Sequence, residues 1–164
     1  VTPDYPPNGI NPRAGGDFVV YQGNKKGSWD VWMWRHGQDP VALTSDASDQ
    51  TNPATDGRTI VWQDNRNGNW DIYAYDLNTS NEMRVTTDPA DQTNPDVENG
   101  VIVWQDKRDD DWNIYLYDQN IQKEKVICRD DGNQTEPRIG TGRIVWTDDR
   151  NGDKDIYIYE NYMP

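Results

Sequence analysis

Oxygen-bearing side chains crowd one stretch of this chain, DNRNGNWDIYAYD, from Asp64 to Asp76. Asp64, Asn67, Asn69 and Asp71 can turn carboxylate and amide oxygens toward one point, and a hard cation such as Ca²⁺ takes six to eight oxygen ligands. The spacing is not that of an EF-hand loop, D-x-[DN]-x-[DN]-G with a distal Glu, and Arg66 stands where a ligand is needed. The other reading is a hairpin turn built on Asn-Gly, with Asp64 paired to Arg66 or to a neighbouring element. The residue types favour the hairpin and keep calcium as the alternative.

Trp29, Trp70 and Trp112 each follow such a polar loop directly. A tryptophan beside Asp and Asn suits a sugar, with the ring face against the apolar sugar face and carboxylates or amides against the hydroxyls. Asp64, Asp106 and Asp148 are the acids nearest those loops. The alternative for the tryptophans is core packing. Gln50, Gln92 and Gln134 stand second in the segments DQTNP, DQTNP and NQTEP, and with Asp49 and Asp91 nearby they suggest a polar, acidic mouth that attracts a cation or a basic group. Their bland role is to hydrogen-bond the backbone of turns.

Catalysis has little support. His36 is the single histidine, sits in RHGQDP and has no evident serine partner, which argues against a Ser-His-Asp or histidine–metal site. Carboxylates are abundant enough for a glycosidase pair, but most recur at equivalent repeat positions. The residues that break the repeat, such as Trp32, Trp34, His36 and Cys128, form no recognisable constellation.

These residues recur because the chain repeats. DKRDDDWNIYLYD (Asp106 to Asp118) and DDRNGDKDIYIYE (Asp148 to Glu160) copy the opening stretch, and GNKKGSWDVWMWR (Gly23 to Arg35) is a looser version. Asn11-Pro12, Asn52-Pro53, Asn94-Pro95 and Glu136-Pro137 are separated by 41, 42 and 42 residues. A β-propeller blade is about 40–45 residues long. Within the third repeat, Asn99-Gly100 marks a tight hairpin. VIVWQ and NIYLY read as strands apolar on both faces, and KVICR as a more exposed last strand. No segment has helical periodicity.

The expectation is an all-β chain of 164 residues forming one domain, a β-propeller of four tandem four-stranded blades. The units run over about 11–51, 52–93, 94–135 and 136–164 plus 1–10. The fourth unit stops before its last strand, and VTPDYPPNGINP at the N-terminus matches VTTDPADQTNP at Val85 to Pro95. The last blade is therefore expected to be completed by the N-terminus or by a partner chain, which removes an exposed edge.

Hydrophobic residues make up only 33% of the chain, but eight Trp and nine Tyr supply a core. The formal charge of −13 argues against nucleic acid, which needs clustered Lys and Arg, and no apolar run is long enough for a membrane-spanning helix. A cation, a neutral sugar or a basic protein face remain as partners, together with self-association. The single cysteine, Cys128, forbids an internal disulfide. The acidic, Asn-, Asp- and Trp-rich composition suits a secreted or cell-surface module.

IVWQDNRNGNWDIYAYDL followed by RVTTD resembles the TolB-like and WD-repeat-like propeller units of bacterial and archaeal surface proteins. The resemblance rests on Asp64/Arg66, Asp106/Arg108 and Asp148/Arg150, on Ile72-Tyr73, Ile114-Tyr115 and Ile156-Tyr157, and on Val85-Thr86. It covers nearly the whole chain and implies a fold, since propellers host many functions. The first unit departs most, with Gly23 and Lys25 at the Asp and Arg positions and Trp32 and Trp34 in place of the Tyr pair. The expected function is a non-catalytic extracellular binding module, lectin-like through its Asp/Asn/Trp-rich loop face. The alternatives are a structural unit of a surface layer or filament and a piece of a larger propeller enzyme acting on polysaccharide.

Overall fold

A computed structural model describes residues 8–24, 27–160 and 162, and every regular element among them is a β-strand. Alternating apolar residues and hairpin turns build four antiparallel sheets in chain order. The first contains β1 (Ile10–Gly15), β2 (Phe18–Asn24), β3 (Trp29–Arg35) and β4 (Val41–Ala42). The second contains β5 (Gln50–Thr55), β6 (Thr59–Asp64), β7 (Asp71–Asp76) and β8 (Asn81–Arg84). The third contains β9 (Gln92–Glu98), β10 (Val101–Asp109), β11 (Asp111–Asp118) and β12 (Lys123–Cys128). The fourth contains β13 (Gln134–Gly140), β14 (Arg143–Asp148) and β15 (Asp155–Glu160). Each sheet is an up-and-down meander, the form of a propeller blade. Of the N-terminal stretch expected to complete the last blade, residues 1–7 lie outside the described residues, and Ile10 begins β1 of the first blade.

The Asn-Pro marker has a physical cause. It falls inside the first strand of each blade, at a break in register between Thr51 and Ala54 in the second blade and between Thr135 and Arg138 in the fourth. Asn11, Asn52, Asn94 and Glu136 all take positive φ, from 50° to 55°. Asparagine tolerates that region better than most residues, and the following proline is allowed at a bulged edge strand. Glu136 has no such tolerance. Glu136→Asn is therefore expected to stabilise the fold by about 1 kcal/mol, a rise of about 2–4 °C in Tm, read by thermal unfolding. The Asn99-Gly100 hairpin forms as expected, with both residues at positive φ and Glu98 paired to Val101.

The core lies between blades. Phe18, Val20, Val31 and Met33 of the first blade pack on Ile60, Trp62 and Tyr73 of the second. Val61, Ile72 and Ala74 pack on Ile102, Trp104 and Tyr115 of the third. Val103, Ile114 and Leu116 pack on Ile144, Trp146 and Tyr157 of the fourth. One side of each central strand pair thus serves the preceding blade and the other the following blade, so NIYLY-type strands are apolar on both faces.

Polar side chains stitch the same joints. Gln22 Oε1 accepts the backbone N–H of Asn52 at 2.9 Å, Gln63 that of Asn94 at 3.0 Å, and Gln105 that of Glu136 at 2.9 Å. Amide groups also link Asn11 to Asn52 and Asn52 to Asn94, each at 3.0 Å.

Candidate functional site

The loop that opened the sequence reading folds as a structural brace. Trp62 Nε1 donates to Asp64 Oδ2 at 3.1 Å, and Arg66 returns over the loop to pair with the same carboxylate at 2.5 Å. The Arg66 guanidinium lies 4.4 Å over the Tyr73 ring, which in turn stacks on Trp62 with centroids 6.1 Å apart. Glu82 of β8 takes the other arm of Arg66 at 2.9 Å. The third blade repeats this arrangement with Trp104, Asp106, Arg108, Tyr115 and Glu124, and the fourth with Trp146, Asp148, Arg150 and Tyr157. In the fourth blade, which has no β8 counterpart among the described residues, Arg150 reaches back to Asp130 and Cys128 of the third.

The electrostatics follow from this geometry. Burial works against charge on Asp148, but the Arg150 and Trp146 hydrogen bonds outweigh it and hold the carboxyl below its ordinary range. Hydrogen bonding to Asp64, Asp106 and Asp148 pushes the pKa values of Arg66, Arg108 and Arg150 up. Asp64, Asp106 and Asp148 are buried and spent on these contacts, which corrects their assignment to a ligand surface.

The four residues considered for calcium do not turn their oxygens to one point, since Asn67 and Asn69 direct NH₂ groups at Asp71. Asp64 faces Trp62 and Arg66, while Asp71 is buried and pairs with Arg84 at 2.8 Å. Asn67 turns its NH₂ to Asp71 and to the Tyr73 hydroxyl. Asn69 donates to the carbonyls of Asp88 and Ala90. This set does not fit a hard cation, whose ligands must all present oxygen. Among the described residues, no three acids, histidines or cysteines are grouped to hold a metal.

Gln50, Gln92 and Gln134 also require correction. They are the first residues of β5, β9 and β13 and are fully buried, so they do not line an open mouth. Gln50 and Gln92 each donate Nε2 to the carbonyl two residues back, at 2.8 and 2.7 Å, the turn-stabilising role that was the plainer reading of their sequence.

Trp29, Trp70 and Trp112 are half-buried, and the structure separates them. The backbone N–H of Trp29 donates to Asp49 Oδ1 and that of Trp70 to Asp91 Oδ1, both at 2.9 Å. Lys107 sits 5.5 Å from the ring centre of Trp112. Trp70 lines a polar groove of about 650 Å³ between the loops of the first two blades, together with Asp49, Asp91, Asn65, Asn69 and Ser48. Asn65 fixes one wall, since its Oδ1 accepts the Asp49 N–H at 2.8 Å. Asn65 lies between the repeated Asp and Arg and carries no sequence signal of its own.

No family model matches the chain, and no curated protein matches it. Solved structures do. TolB from Acinetobacter baumannii superposes with a TM-score of 0.77 at 17% identity, over 93% of this chain and 41% of its own. A puromycin-hydrolyzing peptidase of Mycobacterium tuberculosis gives 0.74 at 11%, over 96% of this chain and 28% of its own. The β-propeller domain of the Trilobed protease from Pyrococcus furiosus, which has an open velcro topology, gives 0.69 at 15%, over 93% and 51%. The chain spans about half or less of the length of each. With the stacked meanders of four and, in the last sheet, three described strands, these likenesses establish that the chain has a TolB-like β-propeller fold.

Proposed function

We propose that this chain is a non-catalytic binding module, secreted or on the cell surface, that takes a carbohydrate in the groove between its first two blades. The observation that carries the reading is the half-buried Trp70 in one polar groove with Asp49, Asp91, Asn65 and Asn69. An indole face matches the apolar face of a sugar ring, and carboxylates and amides satisfy hydroxyls in pairs. The groove and the net charge of −13 favour a neutral or cationic ligand over a polyanion. A protein partner presenting polar or basic side chains is the alternative for the same groove.

The test is a glycan array probed with the purified chain, in calcium and again in chelator. A sugar is expected to bind equally in both conditions, and Trp70→Ala is expected to weaken binding at least tenfold while Trp112→Ala leaves it unchanged. Absence of any glycan signal sinks the carbohydrate reading. Binding lost only in chelator restores calcium to the site.

A further inference from the structure

The joint between the second and third blades shows what the tryptophan at this loop position accepts. Trp112 is the repeat counterpart of Trp70, and Lys107 is that of Asn65. The backbone places both residues alike. The Asn65 N–H donates to the Asp49 carbonyl at 3.2 Å, and the Lys107 N–H to the Asp91 carbonyl at 2.9 Å. From that place Lys107 sets its ammonium 5.5 Å from the centre of the Trp112 ring, within cation–π range. Asn65 is neutral and spends its Oδ1 on the Asp49 N–H. Among the described residues, no lysine or arginine lies over the Trp70 ring. The two acids of the same groove are also without a cation. Asp49 and Asp91 each give Oδ1 to a tryptophan N–H, and among the described residues neither forms an ion pair. Asp71, Asp76 and Asp109, by contrast, are paired with arginines. The groove thus holds a ring and two carboxylates but not the positive charge that Trp112 receives from its own blade.

We propose that the groove selects an amino sugar with a free amine, whose ammonium sits against Trp70 and the carboxylates of Asp49 and Asp91; the assignment rests on the carbohydrate reading of the same groove. Lys107 stands in for that ligand at the next joint, with the same charge and the same kind of ring. A primary ammonium is a compact charge with three N–H donors. It can therefore serve the ring face and the second oxygen of each carboxylate together, and hydrogen bonds to ionised acceptors are the stronger kind. An N-acetyl group removes the charge and leaves one donor, and a hydroxyl supplies one donor without charge. The net charge of −13 draws a cationic sugar to the surface before it docks.

Isothermal titration at neutral pH tests this, comparing a glucosamine oligomer with its N-acetylated form, with a glucose oligomer of equal length and with oligolysine. The glucosamine oligomer is expected to bind about tenfold tighter than either uncharged oligomer. Asn65→Lys copies Lys107 and is expected to abolish that preference by placing an internal cation at the ring. Asp49→Asn/Asp91→Asn is expected to abolish it by removing the charge that faces the amine. The fold is expected to survive both changes, with circular dichroism as the check. Lys107 already occupies the Asn65 place at the next joint, and Asn133 the Asp91 place, its Oδ1 accepting the Trp112 N–H at 3.4 Å. Equal affinity for charged and uncharged sugars overturns the proposal and leaves the carbohydrate reading standing, as does a preference for the amine that persists in both variants. Binding of oligolysine without binding of any sugar overturns both, and so does the absence of all binding.

Discussion

Asp106→Ala is expected to cost about 3 kcal/mol, a fall of about 6–12 °C in Tm for a chain of this length. Asp106 is fully buried and accepts from Trp104 Nε1 at 2.9 Å, from the Arg108 backbone N–H at 3.0 Å, and from the guanidinium at 2.6–2.9 Å. Alanine leaves an indole N–H and part of a guanidinium without partners in a site that excludes water, and an unmade buried bond costs more than a made one gains. Glu124 still holds the outer arm of Arg108, which keeps the loss from being larger. Asp106→Asn, which keeps an acceptor but no charge, should lose less. Acid acts on the same brace in the fourth blade. The Asp148 carboxyl is depressed in the fold, so its contribution is complete above the ordinary carboxylate range, near pH 4. It is lost as pH falls further, through the folded-state value. Thermal unfolding from pH 7 to pH 2 should therefore show a flat region followed by a decline.

Trp104→Ala should be more damaging, at about 4 kcal/mol or about 8–16 °C in Tm. Trp104 is fully buried, stacks on Tyr115 with centroids 6.2 Å apart, and fills the joint against Val61, Ile72 and Ala74 of the second blade. Its removal opens a cavity at the central joint and takes one donor from Asp106 Oδ2, which keeps its bond to Arg108. Trp70→Ala touches a half-buried ring at the surface and should cost far less. A loss at Trp70 equal to that at Trp104 would mean that the two rings are not divided between groove and core.

The propeller was legible in the sequence because a repeat multiplies a weak signal. One IVWQD is ambiguous, whereas the same strand at a fixed 42-residue step, with Asn-Gly turns between, is not. The brace was half legible, since Asp64 and Arg66 are two residues apart and their pairing needs only a local turn. Its other members, Tyr73 and Glu82, come from later strands, and only the register of β6, β7 and β8 brings them together. Gln50 illustrates the opposite failure. Polar and placed in what reads as a linker, it suggests solvent, but it begins β5 opposite Asp64 and is fully buried. The joint glutamines Gln22, Gln63 and Gln105 went unread although each follows the aromatic residue that ends VVY or IVW. Their partners are one blade away, and a hydrogen bond between blades leaves no local pattern. The groove at Trp70 is assembled from separate stretches around Ser28, Asp49, Asn69 and Asp91, so three tryptophans that look equivalent in the repeat do not share one environment in the fold.

The division between brace and groove is tested most directly by labelling the eight tryptophans with 5-fluorotryptophan and reading the ¹⁹F solvent isotope shift of each, assigned by single Trp→Phe substitutions. Trp62, Trp104 and Trp146 should show almost no shift between H₂O and D₂O, and Trp70 a clear one. A solvent-sensitive Trp104, or a Trp70 as silent as Trp104, would contradict the account, because the repeated aspartates would then no longer be closed off in the core or the groove would no longer have an accessible ring.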